Sequence, residues 1–171
     1  MNGLTAEIAV RRAEAADVPA LLAIYNHFVM HTHVTFDVAP RTLEQRLSWF
    51  ATFANEGRHQ CFVAVRENVP IGWACSGPFR EKAAYATSVE TSVYLAPNAV
   101  GQGIGARLYT ELFAHLAAAD IHRIYGVIAQ PNAPSVRLHE HMGFAHAGTY
   151  REAGRKFGRF WDVAMYEKAV R

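Results

Sequence analysis

The segment from Val93 to Leu108 constrains the fold more than any other part of the chain. It is typical of a strand that ends near Leu95, a loop with alternating glycines at positions 101, 103 and 105, and the start of an amphipathic helix. Backbone N–H groups at a helix start have no internal partner, and the helix dipole adds partial positive charge there. The segment therefore predicts a phosphate-binding loop, unless its glycines serve only the geometry of a strand-to-helix turn.

Hydrophobic periodicity along the rest of the chain predicts seven strands and four helices. The predicted strands are 8–12, 61–65, 71–76, 89–95, 123–129, 145–152 and 160–166. One helix is predicted to open at Asp17 and Pro19, a second to run from a Thr42/Gln45 capping box and end by Gly57, and two more to span about 103–119 and 135–141. No linker or repeat interrupts this order, which predicts one α/β (α+β) domain over residues 1–171, with a mixed central sheet flanked by helices.

Composition excludes several classes of protein. The 171 residues are 51% hydrophobic and carry a formal net charge of +2, which is typical of a folded domain. Cys61 and Cys75 cannot form a disulfide scaffold, so we expect a reducing, cytoplasmic setting. The N-terminal segment is unlike an export signal, and no window approaches the length of apolar sequence that crosses a membrane. We expect neither secretion nor membrane insertion.

The charged and histidine-rich clusters point to neither nucleic acid nor metal. The main basic cluster is too small for a nucleic-acid footprint, so it is either a solvated hairpin edge or a contact for a phosphorylated small molecule. It contains Arg151, Arg155, Lys156 and Arg159. Among 9 histidines, His27 and His31 have ligand-like spacing with His33 nearby, but no acidic or cysteine partner completes a site. We expect no metal and no nucleic-acid partner.

The glycine loop also fits a loose dinucleotide pattern through Gly101, Gly103 and Ala106. That pattern requires an acidic residue after the next strand to hold a ribose, but the strand 123–129 continues into Gln130 and Pro131. The loop also lacks the lysine of a P-loop. A nicotinamide enzyme and a simple nucleotide triphosphatase are therefore disfavoured.

A second cluster follows that strand, and with it a family resemblance emerges. Asn132 and Ser135 are natural helix caps and Gly143 a natural helix stop, which is one interpretation of the cluster. The order strand, glycine loop, helix, strand and Asn-x-x-Ser-x-x-Leu-His-Glu-x-x-Gly-Phe also resembles the cofactor-binding core of the GNAT acetyltransferases, and specifically the phosphinothricin and methionine sulfone N-acetyltransferases. Further motifs carry the likeness along nearly the whole chain: Ile24-Tyr25-Asn26-His27, Val34-Thr35-Phe36, Gly77-Pro78-Phe79-Arg80, Val89-Glu90-Thr91-Ser92-Val93-Tyr94, Lys156-Phe157-Gly158-Arg159 and Trp161-Asp162.

The resemblance implies that acetyl-CoA is the co-substrate and indicates where it binds. Its pantetheine arm would pair with the main chain of Val93, Tyr94 and Leu95, because the arm carries two amides. Its pyrophosphate would lie on the loop of Val100, Gly101, Gln102, Gly103, Ile104 and Gly105. Asn132 matches a cofactor-contacting asparagine. Most relatives have Gln or Arg where this chain has Val100.

The resemblance makes Glu90 the candidate general base. An ammonium has no lone pair, so acetyl transfer requires a group that removes the amine's proton. Partial burial on a strand edge would raise the pKa of Glu90 toward working pH. The alternative is a structural carboxylate paired with Arg80 or Lys82. The proton for the leaving thiolate has two candidate origins: His139 supplies it, or the thiolate leaves unprotonated.

The substrate implied by the family is a small glutamate-like amino acid, such as phosphinothricin, methionine sulfone or methionine sulfoximine. Arg80, with Lys82 and Tyr85, matches the substrate loop and would grip a carboxylate, and Phe36 would form an apolar wall; both Arg80 and Phe36 also fit ordinary surface or core positions. Transfer would be direct, since neither cysteine has a triad-like setting. The alternatives are another amine (a polyamine, an aminoglycoside or a protein N-terminus) or a non-catalytic acyl-CoA sensor. Relatives often pair, so a homodimer is expected.

Overall fold

We describe residues 7–170 of the protein from a computed structural model. Residues 1–6, on which part of the expectation about the N-terminal segment rests, lie outside the described residues. The strands are β1 (Ile8–Arg12), β2 (Cys61–Arg66), β3 (Val69–Pro78), β4 (Ser88–Leu95), β5 (Arg123–Ala129), β6 (Ala145–Lys156) and β7 (Arg159–Ala169). The helices are α1 (Val18–His31), α2 (Leu43–Phe50), α3 (Ile104–Leu116) and α4 (Ala133–His141). In this part of the chain no helix has the length and apolar character needed to cross a membrane.

The strands form one mixed sheet in the order β1-β2-β3-β4-β5-β7-β6. Every neighbouring pair is antiparallel except β4 and β5, which are parallel. The element order and the mixed sheet predicted from the sequence are both confirmed.

The C-terminal hairpin is longer than its hydrophobic pattern predicts. β6 and β7 pair as far as Lys156 opposite Arg159, so the hairpin closes on the two residues Phe157 and Gly158. Both have positive φ, 52° and 74°, as the two central residues of a type I′ turn require. Phenylalanine is uncommon at a position with positive φ, so the sequence does not predict this turn.

On one face of the sheet, α3 packs through a stripe of leucines. Leu108, Leu112 and Leu116 are fully buried against sheet residues that include Phe62 and Ile124. Each such side chain contributes about 1.5–3 kcal/mol through burial. This packing holds the N-terminus of α3 at the edge of the sheet where β4 ends.

The opposite face is covered by α1 and α2. Leu21 and Ile24 of α1 pack against Trp73, Cys61 and Cys75, and the two free cysteines lie opposite each other on β2 and β3. The predicted capping box starts α2. The Thr42 hydroxyl accepts a hydrogen bond from the Gln45 N–H at 3.2 Å, and the Gln45 side chain accepts one from the Thr42 N–H at 3.0 Å.

The parallel pair β4 and β5 stays together for only three residue pairs. Ser88, Val89 and Glu90 pair with Arg123, Ile124 and Tyr125, after which β4 pairs only with β3 and β5 only with β7. The two strands thus diverge and open a cleft in the middle of the sheet.

Candidate active site

The cleft between β4 and β5 has a volume of about 540 Å³. It brings together nine of the ten residues predicted to bind the cofactor. These are Val93, Tyr94, Leu95, Val100, Gly101, Gly103, Ile104, Gly105 and Asn132. Gln102 is not among the lining residues. Its side chain donates a hydrogen bond to the Asn98 carbonyl at 2.9 Å and accepts one from Arg66.

The wall formed by β4 offers unpaired backbone groups. Beyond Glu90, the side of β4 that faces the cleft has no strand partner, while its other side continues to pair with β3. Backbone N–H and C=O groups on such an edge require hydrogen-bond partners. An extended ligand with amide groups is suited to fill this role.

The floor of the cleft ends at the N-terminus of α3. Gly103 is the N-cap and has a φ of 73°, while Gly101 has a φ of 80°. No side chain caps this end of the helix, so the first N–H groups of α3 stay available to an anion. Val100 is 52% exposed. A polar side chain at this position would add a contact to an anion bound at the start of α3.

Glu90 lies on the α1–α2 face of β4, at the point where the strands diverge. Burial raises the pKa of its carboxyl group, and the nearby positive charge of Arg80 opposes this effect. Among residues 7–170 Glu90 has no ion-pair partner within 4.0 Å, so neither Arg80 nor Lys82 pairs with it. The carboxylate is therefore available as a proton acceptor.

Glu90 opens into a second cavity of about 480 Å³, which we call the side cavity. Its wall on β4 is formed by Glu90, Ser92 and Tyr94, and the opposite wall comes from α1, α2 and the segment between them. Ser92 and Tyr94 line both the cleft and the side cavity. A molecule in the side cavity would therefore meet a ligand of the cleft beside Glu90.

The three residues predicted for the substrate loop lie together, but none of them lines the side cavity of Glu90. Arg80 lies over the ring of Phe79, 4.4 Å from its centroid, and its charge reaches Glu90. Arg80, Lys82 and Tyr85 line a third depression, together with residues that include Arg58. Their role in binding stays a prediction.

Phe36 is placed against the C-terminal hairpin. Its ring lies where a Cβ on Gly154 would stand. The segment around it is tied down by Lys156, whose Nζ donates a hydrogen bond to the Thr35 carbonyl at 2.7 Å, and by His33, which stacks on Trp161. Lys156 is only 4% exposed, so the solvated hairpin edge, one of the two interpretations of the basic cluster, does not hold for this residue. Whether Phe36 contacts substrate stays a prediction.

His139 reaches the cleft from α4 in a fixed tautomer. Its Nδ1 lies 2.8 Å from the Ser135 carbonyl oxygen and must donate there, so Nε2 accepts a hydrogen bond from the Tyr109 hydroxyl at 3.3 Å. Burial lowers the pKa of His139, which keeps the ring neutral. Sequence reasoning missed Tyr109 because its position on α3 is that of a core residue.

Sequence reasoning also missed Arg46 of α2, which lines the side cavity and is 5% exposed. The apolar pattern of α2 gave no signal that a charged residue would face inward. Among the described residues no group of three or more His, Cys, Asp or Glu side chains is arranged to hold a metal ion.

Comparison with known proteins identifies relatives with this architecture. Residues 21–144 match the model of the acetyltransferase (GNAT) family. The chain is 52% identical to a phosphinothricin N-acetyltransferase of Streptomyces coelicolor, over 97% of this chain and 98% of that protein. It is 32% identical to an L-methionine sulfoximine/L-methionine sulfone acetyltransferase of Pseudomonas aeruginosa, over 92% of each chain.

A solved structure shares the fold. The phosphinothricin acetyltransferase of Sinorhizobium meliloti, solved in complex with acetyl-CoA, superposes with a TM-score of 0.91 at 32% identity. The match covers 98% of this chain and 89% of the other.

Proposed function

Because this chain belongs to the GNAT acetyltransferase family and uses acetyl-CoA as its acetyl donor, we propose that it acetylates the α-amino group of a small glutamate-like amino acid. Phosphinothricin, methionine sulfone and methionine sulfoximine are the proposed acceptors, in keeping with the names of its relatives. The observation that carries the proposal is the junction of the cleft and the side cavity along Ser92 and Tyr94, with Glu90 beside it.

The cleft provides groups of the kinds that coenzyme A requires. The free edge of β4 at Val93 to Leu95 would pair with the amides of the pantetheine arm. The N–H groups at the start of α3, behind Gly101 and Gly103, would receive the pyrophosphate. Asn132 lines the cleft, and its side-chain oxygen already caps α4 by accepting from the Ser135 N–H at 3.3 Å, so its amide N–H₂ is the part free to contact the ligand.

Glu90 is the proposed general base. It takes one proton from the ammonium group, directly or through a water, which frees the nitrogen lone pair to attack the thioester carbon. A C–N bond forms, the C–S bond breaks, and coenzyme A leaves with its sulfur as the thiolate. The nitrogen still carries two protons after the attack and loses one of them to water, so the product is the neutral amide. The His139 proton is held at Nδ1 by the Ser135 carbonyl, so Nε2 has no proton to give. We therefore favour departure of the thiolate without protonation by His139.

The charges around the site favour an acceptor that brings a carboxylate over one that brings further positive charge. Arg80 lies close enough to Glu90 to act on its pKa, and Arg46 lines the same cavity. A polyamine or an aminoglycoside would bring positive charge to these two cations, which disfavours binding. This arrangement supports an amino acid over the basic alternatives.

The test is release of thiol from acetyl-CoA across a panel of amino acids and amines, for the wild type and for Glu90→Gln. Loss of a general base lowers kcat by roughly 10²–10⁴-fold, while the Kd for acetyl-CoA stays constant because Glu90 faces the side cavity. The matched control is Glu56→Gln, an exposed loop carboxylate, which should retain full activity. Equal rates with polyamines and methionine sulfone would contradict the amino-acid assignment. Binding of acetyl-CoA without turnover in either form would identify a sensor.

We further propose a cytoplasmic homodimer. Two free, buried cysteines, Cys61 and Cys75, are typical of a reducing compartment. Two exposed apolar side chains of the C-terminal hairpin, Tyr150 and Phe160, support pairing of two copies there. Light scattering after size-exclusion chromatography tests the proposal, since a monomeric mass at micromolar concentration would contradict it.

A further inference from the structure

Arg46 is a buried cation without a counter-ion. Its side chain is 5% exposed, and no carboxylate of residues 7–170 lies within 4.0 Å of it. Two of its three guanidinium nitrogens, Nε and Nη2, are buried and have no hydrogen-bond partner. Buried polar groups are nearly always paired, so donors left unpaired in a cavity wall point to a partner that binds there.

The surroundings hold this guanidinium in place without satisfying it. Its central carbon lies 3.3 Å from the ring centroid of Trp49, 4.5 Å from that of Trp73 and 4.9 Å from that of Tyr25. Aromatic faces attract the positive charge, but they accept no conventional hydrogen bond from its N–H groups. These three rings, which we call the aromatic box, therefore fix the orientation of the guanidinium, while its Nε and Nη2 stay without a hydrogen-bond partner.

Asp37, a carboxylate on the cavity wall, is already engaged. Asp37 accepts two hydrogen bonds from Arg41, at 2.7 and 2.6 Å, and a third from the Tyr25 hydroxyl at 2.8 Å. Because this carboxylate is neutralised by Arg41, it does not serve Arg46. Within residues 7–170, Nε and Nη2 of Arg46 therefore have no hydrogen-bond partner.

The two cations of the site stand at different distances from Glu90. Arg80 acts on Glu90 itself, whereas Arg46 lies over Trp73, which pairs with Tyr94, four residues along β4 from Glu90. Two residues of a strand span about 7 Å. Measured along β4, Arg46 therefore lies one to two such steps from Glu90. In a glutamate-like amino acid the α-carboxylate is bonded to the carbon that carries the amine. The tetrahedral atom of the side-chain head lies four bonds from the amine nitrogen. Of the two cations, Arg46 is therefore the one placed away from the amine position, as the head group is and the α-carboxylate is not.

We propose that Arg46 binds the side-chain head of the acceptor and so sets the preference for amino acids whose head carries two hydrogen-bond acceptors on one tetrahedral atom. This inference rests on the proposed function, since it assumes that the amine lies at Glu90. The planar fork of arginine presents two N–H groups in parallel, which suits the paired oxygens of a phosphinate or a sulfone. A thioether head offers no such acceptor.

The experiment compares methionine sulfone with methionine, which differ only in the two head oxygens, in the wild type, Arg46→Met and Arg46→Lys. Arg46→Met should raise KM for methionine sulfone by roughly 10–100-fold with little change in kcat, and leave kcat/KM for methionine unchanged. Arg46→Lys keeps the charge but lacks the planar pair of N–H groups. Its KM for methionine sulfone should lie between those of the wild type and Arg46→Met. The control is Arg151→Met, which changes an exposed arginine of β6. It should leave KM and kcat unchanged for both substrates.

The outcomes separate this inference from the proposed function. If Arg46→Met lowers kcat/KM equally for both substrates, Arg46 only supports the fold and the inference is wrong, while acetylation of amino acids stands. If the wild type acetylates neither substrate, the proposed function itself fails. Should Arg46→Met not fold, the wild type decides alone: a KM for methionine within about threefold of that for methionine sulfone overturns the inference, and a tenfold or larger difference supports it.

Discussion

Gly126 of β5 is a position where one methyl group should perturb both the core and the cleft. A Cβ placed there would lie 2.5 Å from Cδ2 and from Nε2 of His139, inside any permissible contact distance. The ring cannot move aside freely, because its Nδ1 is bound to the Ser135 carbonyl at 2.8 Å and its Nε2 to the Tyr109 hydroxyl. Overpacking costs about 1–3 kcal/mol and a broken hydrogen bond about 1 kcal/mol more. Gly126→Ala should therefore lower the free energy of unfolding by about 2–4 kcal/mol.

The assay is thermal unfolding, in which that loss corresponds to a fall in Tm of roughly 5–15 °C for a chain of this size. Gly77→Ala of β3 is the matched control, because a Cβ at Gly77 would meet no atom within 4 Å. Both substitutions remove the same backbone freedom from the unfolded chain, so their difference isolates the contact with His139. Equal Tm values for the two variants would refute the placement of the His139 ring against Gly126.

Two further predictions concern buried ionisable groups. Lys156→Met removes the hydrogen bond to the Thr35 carbonyl and should lower the free energy of unfolding by about 1–3 kcal/mol. Urea titration measures this loss, and an unchanged urea midpoint of unfolding would contradict the contact. Burial lowers the pKa of His139 below its ordinary 6.5, against the raising effect of the Ser135 carbonyl, so the unfolded chain binds this proton first as the pH falls. The stability linked to His139 is complete above about pH 6.5 and is lost below it; His139→Asn should flatten this decline in the free energy of unfolding, and an unaltered slope would disprove it.

The elements that carry local signals were predictable from the sequence. The alternation of β4, the glycines before α3 and the capping box of α2 are each encoded within a few residues, and the structure forms all three. The first two of these segments place eight of the ten predicted cofactor residues in one cleft, and Asn132 joins them from the N-cap of α4.

Features that depend on contacts between distant segments were not predictable. The divergence of β4 from β5 is a matter of strand pairing, which no local pattern specifies. Lys156 is placed in a basic cluster by the sequence, and only the approach of Thr35 from far along the chain shows that its charge is buried. Arg46 was missed for a related reason, since its aromatic box is assembled from α1, α2 and β3.

The alternation of β4 means that one short strand serves three separate environments. Glu90, Ser92 and Tyr94 face the side cavity, Val89, Thr91 and Val93 face the sheet side covered by α3, and the peptide groups border the cleft. Substitutions on one row can therefore alter acceptor choice while the donor-binding edge is preserved. A single inserted residue would instead rotate every later side chain to the opposite face, exchanging the two rows at once. The enzyme can diversify through point changes in this strand, but its length is fixed.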